Sequence, residues 1–187
     1  MPMRRILLLA AALLVAGCGD HNLILKVDVL SFISPADRQQ AFGPIPAIPG
    51  GLVTGEVPVI DDQHVSLLQG VSDAAKLTSV TLTLGGLAVD STGAGEDTVR
   101  IYMSDAQTVP TTTTPILTVP VVLTPGATDT LSAVLADDPR VLALFSSRQI
   151  RLSVTTSLRG PSSGSDLNGR FVLSELDAVV VAGYKGP

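Results

Sequence analysis

The chain has 187 residues, with 17 acidic and 12 basic side chains and a formal charge of −5. An acidic balance without clustered Lys and Arg argues against nucleic acid, whose phosphates need neutralising, and equally against a polybasic membrane patch. One cysteine and no tryptophan rule out a disulfide scaffold and leave the core to Val, Leu, Ile and Ala, a composition that suits sheets.

The chain begins with a short basic segment, Met1-Pro2-Met3-Arg4-Arg5, followed by an apolar run over 6–15 and the small residues that lead to Cys18. That is the layout of an export signal. The twelve residues 6–17 rise about 1.5 Å each as a helix, too short for a hydrocarbon core of roughly 30 Å, so a spanning helix is not expected. Val15, Ala16, Gly17 and Cys18 resemble the lipobox of bacterial lipoproteins at all four positions. The resemblance implies a signal over 1–17, acylation of Cys18, a tether over 18–22, and membrane attachment through acyl chains in a bacterial cell envelope. Gly19 stands where the usual inner-membrane retention signal has Asp, which favours the outer membrane over the inner. Losing residues 1–17 removes two basic and no acidic residues and moves the charge from −5 to −7, so attachment would rest on lipid, at about 0.8 kcal/mol per buried CH₂.

Residues 23–187 are expected to form one domain. Leu23, Leu25, Val27 and Val29 alternate against Lys26 and Asp28, which predicts a half-buried strand over 23–33 within roughly 15 Å of Cys18. Residues 34–58 hold five prolines interleaved with Gly43, Gly50, Gly51 and Gly55, and no regular element is expected there. Two readings compete for this segment. In the favoured one it is a long crossover, with Phe42, Ile45, Ile48, Leu52 and Val53 tucked against the core. In the other it is an exposed apolar docking loop carrying Phe42, Ile45, Ile48 and Leu52, with Pro46-Ala47-Ile48-Pro49 meeting the PxxP spacing.

From Asp61 onward strands become frequent. One is expected over 64–68, a helical turn over 72–76, then a strand over 78–84 that buries Val80, Leu82 and Leu84. Gly85-Gly86 marks a bulge, and a further strand follows over 98–103. The last two are expected to pair as neighbours around a 90–97 loop. Prolines 110, 115, 120 and 125 place any strand there on a sheet edge. A strand over 129–135 precedes Asp137-Asp138-Pro139-Arg140, the start of a short helix with an acidic N-cap and Pro at its first position. Strands over 149–158 and 170–181 read as a hairpin with a long loop, with a shift of phase near Ser174-Glu175. Seven to nine strands with one or two short helices predict an all-β antiparallel sandwich, Ig-like in general architecture, with an open β-barrel as the alternative.

Chemical motifs are few. Gly160-Pro161-Ser162-Ser163-Gly164 satisfies G-x-S-x-G, but a polar loop follows it where a nucleophile elbow needs a helix. His64 beside Asp61 and Asp62 is read as a polar turn before a strand. Asp90, Glu96 and Asp97 form the best acidic cluster, a Ca²⁺ candidate by donor type, set against a solvated hairpin turn. Tyr102 and Tyr184 are too few for a carbohydrate platform. No cofactor is expected, and no enzyme. The expected role is structural or interactive, through an envelope protein partner. The alternative is a module for a small apolar ligand or lipid, which would need a pocket above about 300 Å³ between the sheets.

Overall fold

The computed structural model describes residues 22–66, 76–147 and 149–183. Among them are nine strands: β1 Asn22–Asp28, β2 Gln39–Ile45, β3 Val57–Ser66, β4 Lys76–Thr92, β5 Gly95–Asp105, β6 Leu117–Leu123, β7 Thr128–Ala136, β8 Gln149–Arg159 and β9 Leu167–Gly183. One helix, α1, spans Pro139–Ser146. The strands form two antiparallel sheets. The first runs β1-β9-β4-β7, with β2 also paired to β9, and the second runs β3-β8-β5-β6. This is the expected all-β sandwich.

Alternation sets which face each strand buries. Val80, Leu82, Leu84 and Ala88 of β4 and Phe171, Leu173, Leu176, Ala178 and Val180 of β9 line the inner side of the first sheet. Val99, Ile101 and Met103 of β5 and Ile150, Leu152 and Val154 of β8 line the inner side of the second. The Gly85-Gly86 bulge and the phase shift at Ser174-Glu175 are one feature. Gly85 pairs with Glu175 and Gly86 with Leu173, so Ser174 is the extra residue. A side chain at Gly86 would begin 3.0 Å from the Phe171 ring.

Phe171 is fully buried. Phe171→Ala is expected to cost about 3–5 kcal/mol, through lost transfer energy and the cavity left behind. Urea denaturation should show this as a lowered midpoint at unchanged slope.

Several expectations are corrected. The first strand stops at Asp28, whose carboxylate caps a 3-10 turn over Val29–Phe32 by accepting the Ser31 amide at 3.2 Å. The 34–58 segment is not free of regular structure, because β2 occupies Gln39–Ile45 and β3 begins at Val57. Edge strands explain this: β2 and β3 each pair on one side only, so Pro44 and Pro58 remove no ladder bond the sheet depends on. The expected β4–β5 and β8–β9 neighbours are also separated, each pair being split between the two sheets. Alternation identifies a strand's buried face but not its partner, and Gly93, at φ 77°, turns the chain from one sheet to the other.

Other expectations hold. β6, carrying Pro120, is an edge strand. The Asp138 carboxylate accepts the Arg140 amide at 2.8 Å as the N-cap of α1, and Pro139 opens the helix. Of the helical turn expected over 72–76, residues 72–75 lie outside the described residues, and Lys76 starts β4.

Pairing gives the sandwich two ends. At one, Asn22, Gly183 and Lys76 share a rung, and α1 packs nearby against β4, β5 and β8. At the other, Ile45 meets Leu167, Thr92 meets Asn168, and Glu96 meets Arg159. The 17 residues of β9 link these ends over roughly 50 Å.

Candidate functional site: an apolar loop at the far end

The segment 46–56 leaves β2 at the end of the sandwich opposite Asn22 and crosses to the start of β3. Backbone bonds pin it to the end of β8 and the loop beyond. The Ile48 amide donates to Pro161 O at 3.1 Å, the Gly160 amide to Leu52 O at 2.8 Å, and the Thr54 amide to Leu158 O at 2.9 Å. The Leu158 amide returns a bond to Thr54 Oγ1 at 3.0 Å, and the Ala47 amide donates to Asp166 Oδ1 at 3.1 Å. Gly50 and Gly51 turn the chain at φ 88° and 69°, and a Cβ at Gly51 would stand 2.7 Å from Gly160 O.

The exit from the loop is fastened by charge and hydroxyls on the outer face of the second sheet. Glu56 accepts from Tyr102 Oη at 3.0 Å on both carboxylate oxygens and from Thr155 Oγ1 at 2.9 Å, and Arg100 Nη1 lies 3.4 Å from Glu56 Oε1. Burial, then the Glu56 carboxylate, pushes the Tyr102 phenol up from its usual value. The sequence reading did not identify this cluster, because its members come from three separated segments.

The five apolar residues expected to behave alike divide. Phe42 and Ile45 are buried, at 9% and 5% exposure, whereas Ile48, Leu52 and Val53 stand out at 39%, 40% and 62%. Phe42 and Ile45 are thus tucked against the core as the crossover reading expects, Ile48 and Leu52 are exposed as the other reading expects, and Val53, expected in the core, is exposed. The result is an ordered loop presenting three aliphatic side chains. Its many bonds lower the entropy still to be lost when something binds it.

The acidic cluster does not converge. Glu96 is exposed, while Asp97 is fully buried on the inner face of β5, because successive strand residues point to opposite faces. Asp90 pairs through its backbone with Gly169, and its side chain lies outside what is described. The expected solvated hairpin is corrected too, since the 93–94 turn joins two sheets and Asp97 is shielded from water. Among the described residues no three His, Cys, Asp or Glu side chains gather as a metal site.

Asp61 and Asp62 are not a turn before a strand but a bulge inside β3, where Asp62 takes φ 42°. The Asp62 amide donates to Ser153 Oγ at 3.0 Å, and its carboxylate forms an ion pair with Arg151, accepting Nε at 2.6 Å. That hydrogen bond holds the Asp62 carboxyl below its ordinary range. His64 pairs with Arg151, whereas Ser162 lies three residues beyond Arg159. Eight strand positions, roughly 25 Å, separate those levels of β8, so Ser162 and His64 are not brought together. The chain after Ser162 enters β9, a strand where an elbow would need a helix.

An open depression of about 410 Å³ lies at the opposite end, between α1, the end of β5 and the 104–113 segment. It exceeds the size expected for a small-ligand pocket but does not lie between the sheets. Met103, Ala143 and Leu144 share its walls with Ser104, Thr108 and Arg140. Ser104 Oγ donates to Thr108 O at 2.6 Å and Arg140 pairs with Asp138 at 2.7 Å, so these polar groups already have partners. Val15, Ala16, Gly17, Cys18 and Tyr184 lie outside the described residues, and among those described no helix is long and apolar enough to cross a membrane.

No protein-family model and no curated protein sequence matches this chain. Solved structures of infectious bursal disease virus are distantly similar. The Gx strain structure matches at 12% identity and a TM-score of 0.40, over 89% of this chain and 33% of the viral one. The VP2 subviral particle matches at 14% identity and 0.34, over 100% and 42%. This chain thus spans less than half of either viral chain, and at these TM-scores nothing about it rests on the likeness.

Proposed function

We propose that this chain is a lipid-anchored protein of the bacterial cell envelope that binds a protein partner through the 46–56 loop. The observation that carries the reading is an ordered, exposed aliphatic loop at the end of the sandwich opposite Asn22, the residue that follows the lipobox-like sequence by four positions. Ile48, Leu52 and Val53 stand at the end of the sandwich opposite Asn22, and Asn22 follows Cys18 by four residues. An anchor at Cys18 holds the Asn22 end against the bilayer, and β9 carries the loop roughly 50 Å away from it. Outer-membrane attachment is the favoured destination, from Gly19. Mild crosslinking and affinity capture of the C-terminally tagged protein from solubilised envelopes tests the reading. A stoichiometric protein partner supports it, and capture of no protein contradicts it.

A second reading, a module for a small apolar ligand, would use the open depression beside α1 and not a pocket between the sheets. Native mass spectrometry of the purified protein tests this, with a co-purifying lipid or small molecule as the supporting result.

A further inference from the structure

Asp97 lies on the core face of β5, with Val99 and Ile101 continuing the same face, and none of its surface reaches solvent. Thr156 Oγ1 of β8 donates to Asp97 Oδ1, and Oδ2 has no partner. The inner-face neighbours Thr156 and Leu158 on β8 and Val121 and Leu123 on β6 carry no titratable group. Across the core, the buried side chains described on the inner side of the first sheet are apolar, Phe42 and Phe171 among them. Arg100, three positions along β5 on the outer face, is the charge that acts on this carboxyl. An ionised carboxylate with one side-chain donor and an unpartnered oxygen is poorly compensated in such surroundings.

The position of Asp97 ties it to the loop. Asp97 pairs with Leu158, the residue whose amide and carbonyl both bond Thr54. Thr156, its hydrogen-bond donor, pairs with Val57, where the loop becomes β3. Any outward movement of Asp97 toward water must disturb the rungs that pin the loop.

We propose that Asp97 is a proton-dependent latch for the 46–56 loop: protonated, it sits in the core and the loop stays pinned; ionised, it loosens the ends of β5 and β8 and frees the loop. The consequence for partner binding rests on the docking reading, but the latch itself does not.

Burial pushes the Asp97 carboxyl above its usual 3.8, outweighing the opposing effects of Thr156, the Thr98 amide and Arg100. The folded state therefore holds this proton more tightly than the unfolded chain. Its contribution is at its most favourable at acid pH and declines as pH rises from 3.8 through the raised value, above which it is constant.

Hydrogen exchange of the full chain between about pH 4.5 and 8, corrected for intrinsic rates, tests the latch. In the wild type, protection of 47–56 is expected to fall by at least about tenfold as pH rises, while 149–153 at the other end of β8 changes less. Asp97→Asn should abolish the slope. Thr156→Val, which removes a bond favouring the ionised form, should move the transition to higher pH. Equal slopes in wild type and Asp97→Asn, an unmoved transition in Thr156→Val, or uniform loss along β8 would overturn the latch. Partner capture at both ends of the range separates the two claims: a working latch with no protein captured at either pH contradicts the docking reading alone.

Discussion

Palmitate-analogue labelling of the wild-type protein in cells is expected to be strong, and labelling of Cys18→Ala is expected to be absent. The chain has a single thiol, and the proposed lipobox would make it the acylation site. Cys18→Ala should leave residues 1–17 uncleaved, so its apolar run would keep the chain at the membrane and confuse simple fractionation. A chain whose residues 1–18 are replaced by an ordinary cleaved export signal removes that ambiguity. It should leave the membrane fraction completely, because the remaining charge is strongly acidic and nothing basic holds it to anionic lipid. One acyl chain binds only marginally and two or three bind stably, so the expected difference is nearly all-or-none. Labelling retained in Cys18→Ala, or the replaced chain still sedimenting with membranes in high salt, would contradict lipid anchoring.

The combined substitutions Ile48→Asp, Leu52→Asp and Val53→Asp are expected to abolish partner capture while leaving the thermal midpoint within a few degrees of wild type. All three side chains already face water, and exposed positions away from buried bonds usually change stability by under about 0.5 kcal/mol each. In a complex they would be desolvated together. Losing them at roughly 1–2 kcal/mol each, with three buried charges added, should weaken binding by more than about a hundredfold. Excising residues 43–55 is a poorer test. It removes the end of β2 together with Ile45, which is core. Phe42→Ala supplies the contrast: an expected cost of about 3 kcal/mol, with the aliphatic loop residues themselves untouched. Capture that survives the triple substitution in a folded protein would remove the loop from the account.

The sandwich was legible in the sequence because period-two alternation is local. Val80, Leu82 and Leu84 declare their face without reference to any partner, and Ser174 announced its bulge as a break in phase. The α1 cap was equally local, since Asp138 and Pro139 act on the adjacent turn. Strand partnership was not legible, because nothing in residues 98–103 says that β5 pairs with β6 and β8 and not with β4. The prolines of 34–58 concealed β2 because proline argues against a central strand and is tolerated at an edge.

The candidate site was legible in part. Ile48 and Leu52 were among the residues considered for docking, but sequence could not separate them from Phe42 and Ile45, which the same segment buries. Asp97 was available to the reading and missed. The spacing Asp97, Val99, Ile101, Met103 places the carboxyl on the buried face once the strand is extended one residue toward Gly95. Its grouping with Asp90 and Glu96 assumed a loop, where side chains can converge. A strand sends Glu96 and Asp97 to opposite sides.

The central claim is that an anchored sandwich presents its far-end loop to a protein. A photo-crosslinking amino acid placed at Leu52 in the full-length, lipidated protein, irradiated in intact envelopes, tests it most directly. Val134, exposed at 62% on the outer face of the first sheet, is the matched control. A discrete protein adduct from Leu52 and none from Val134 is the predicted result. No adduct from Leu52, or the same adduct from both positions, would contradict a docking role for the loop.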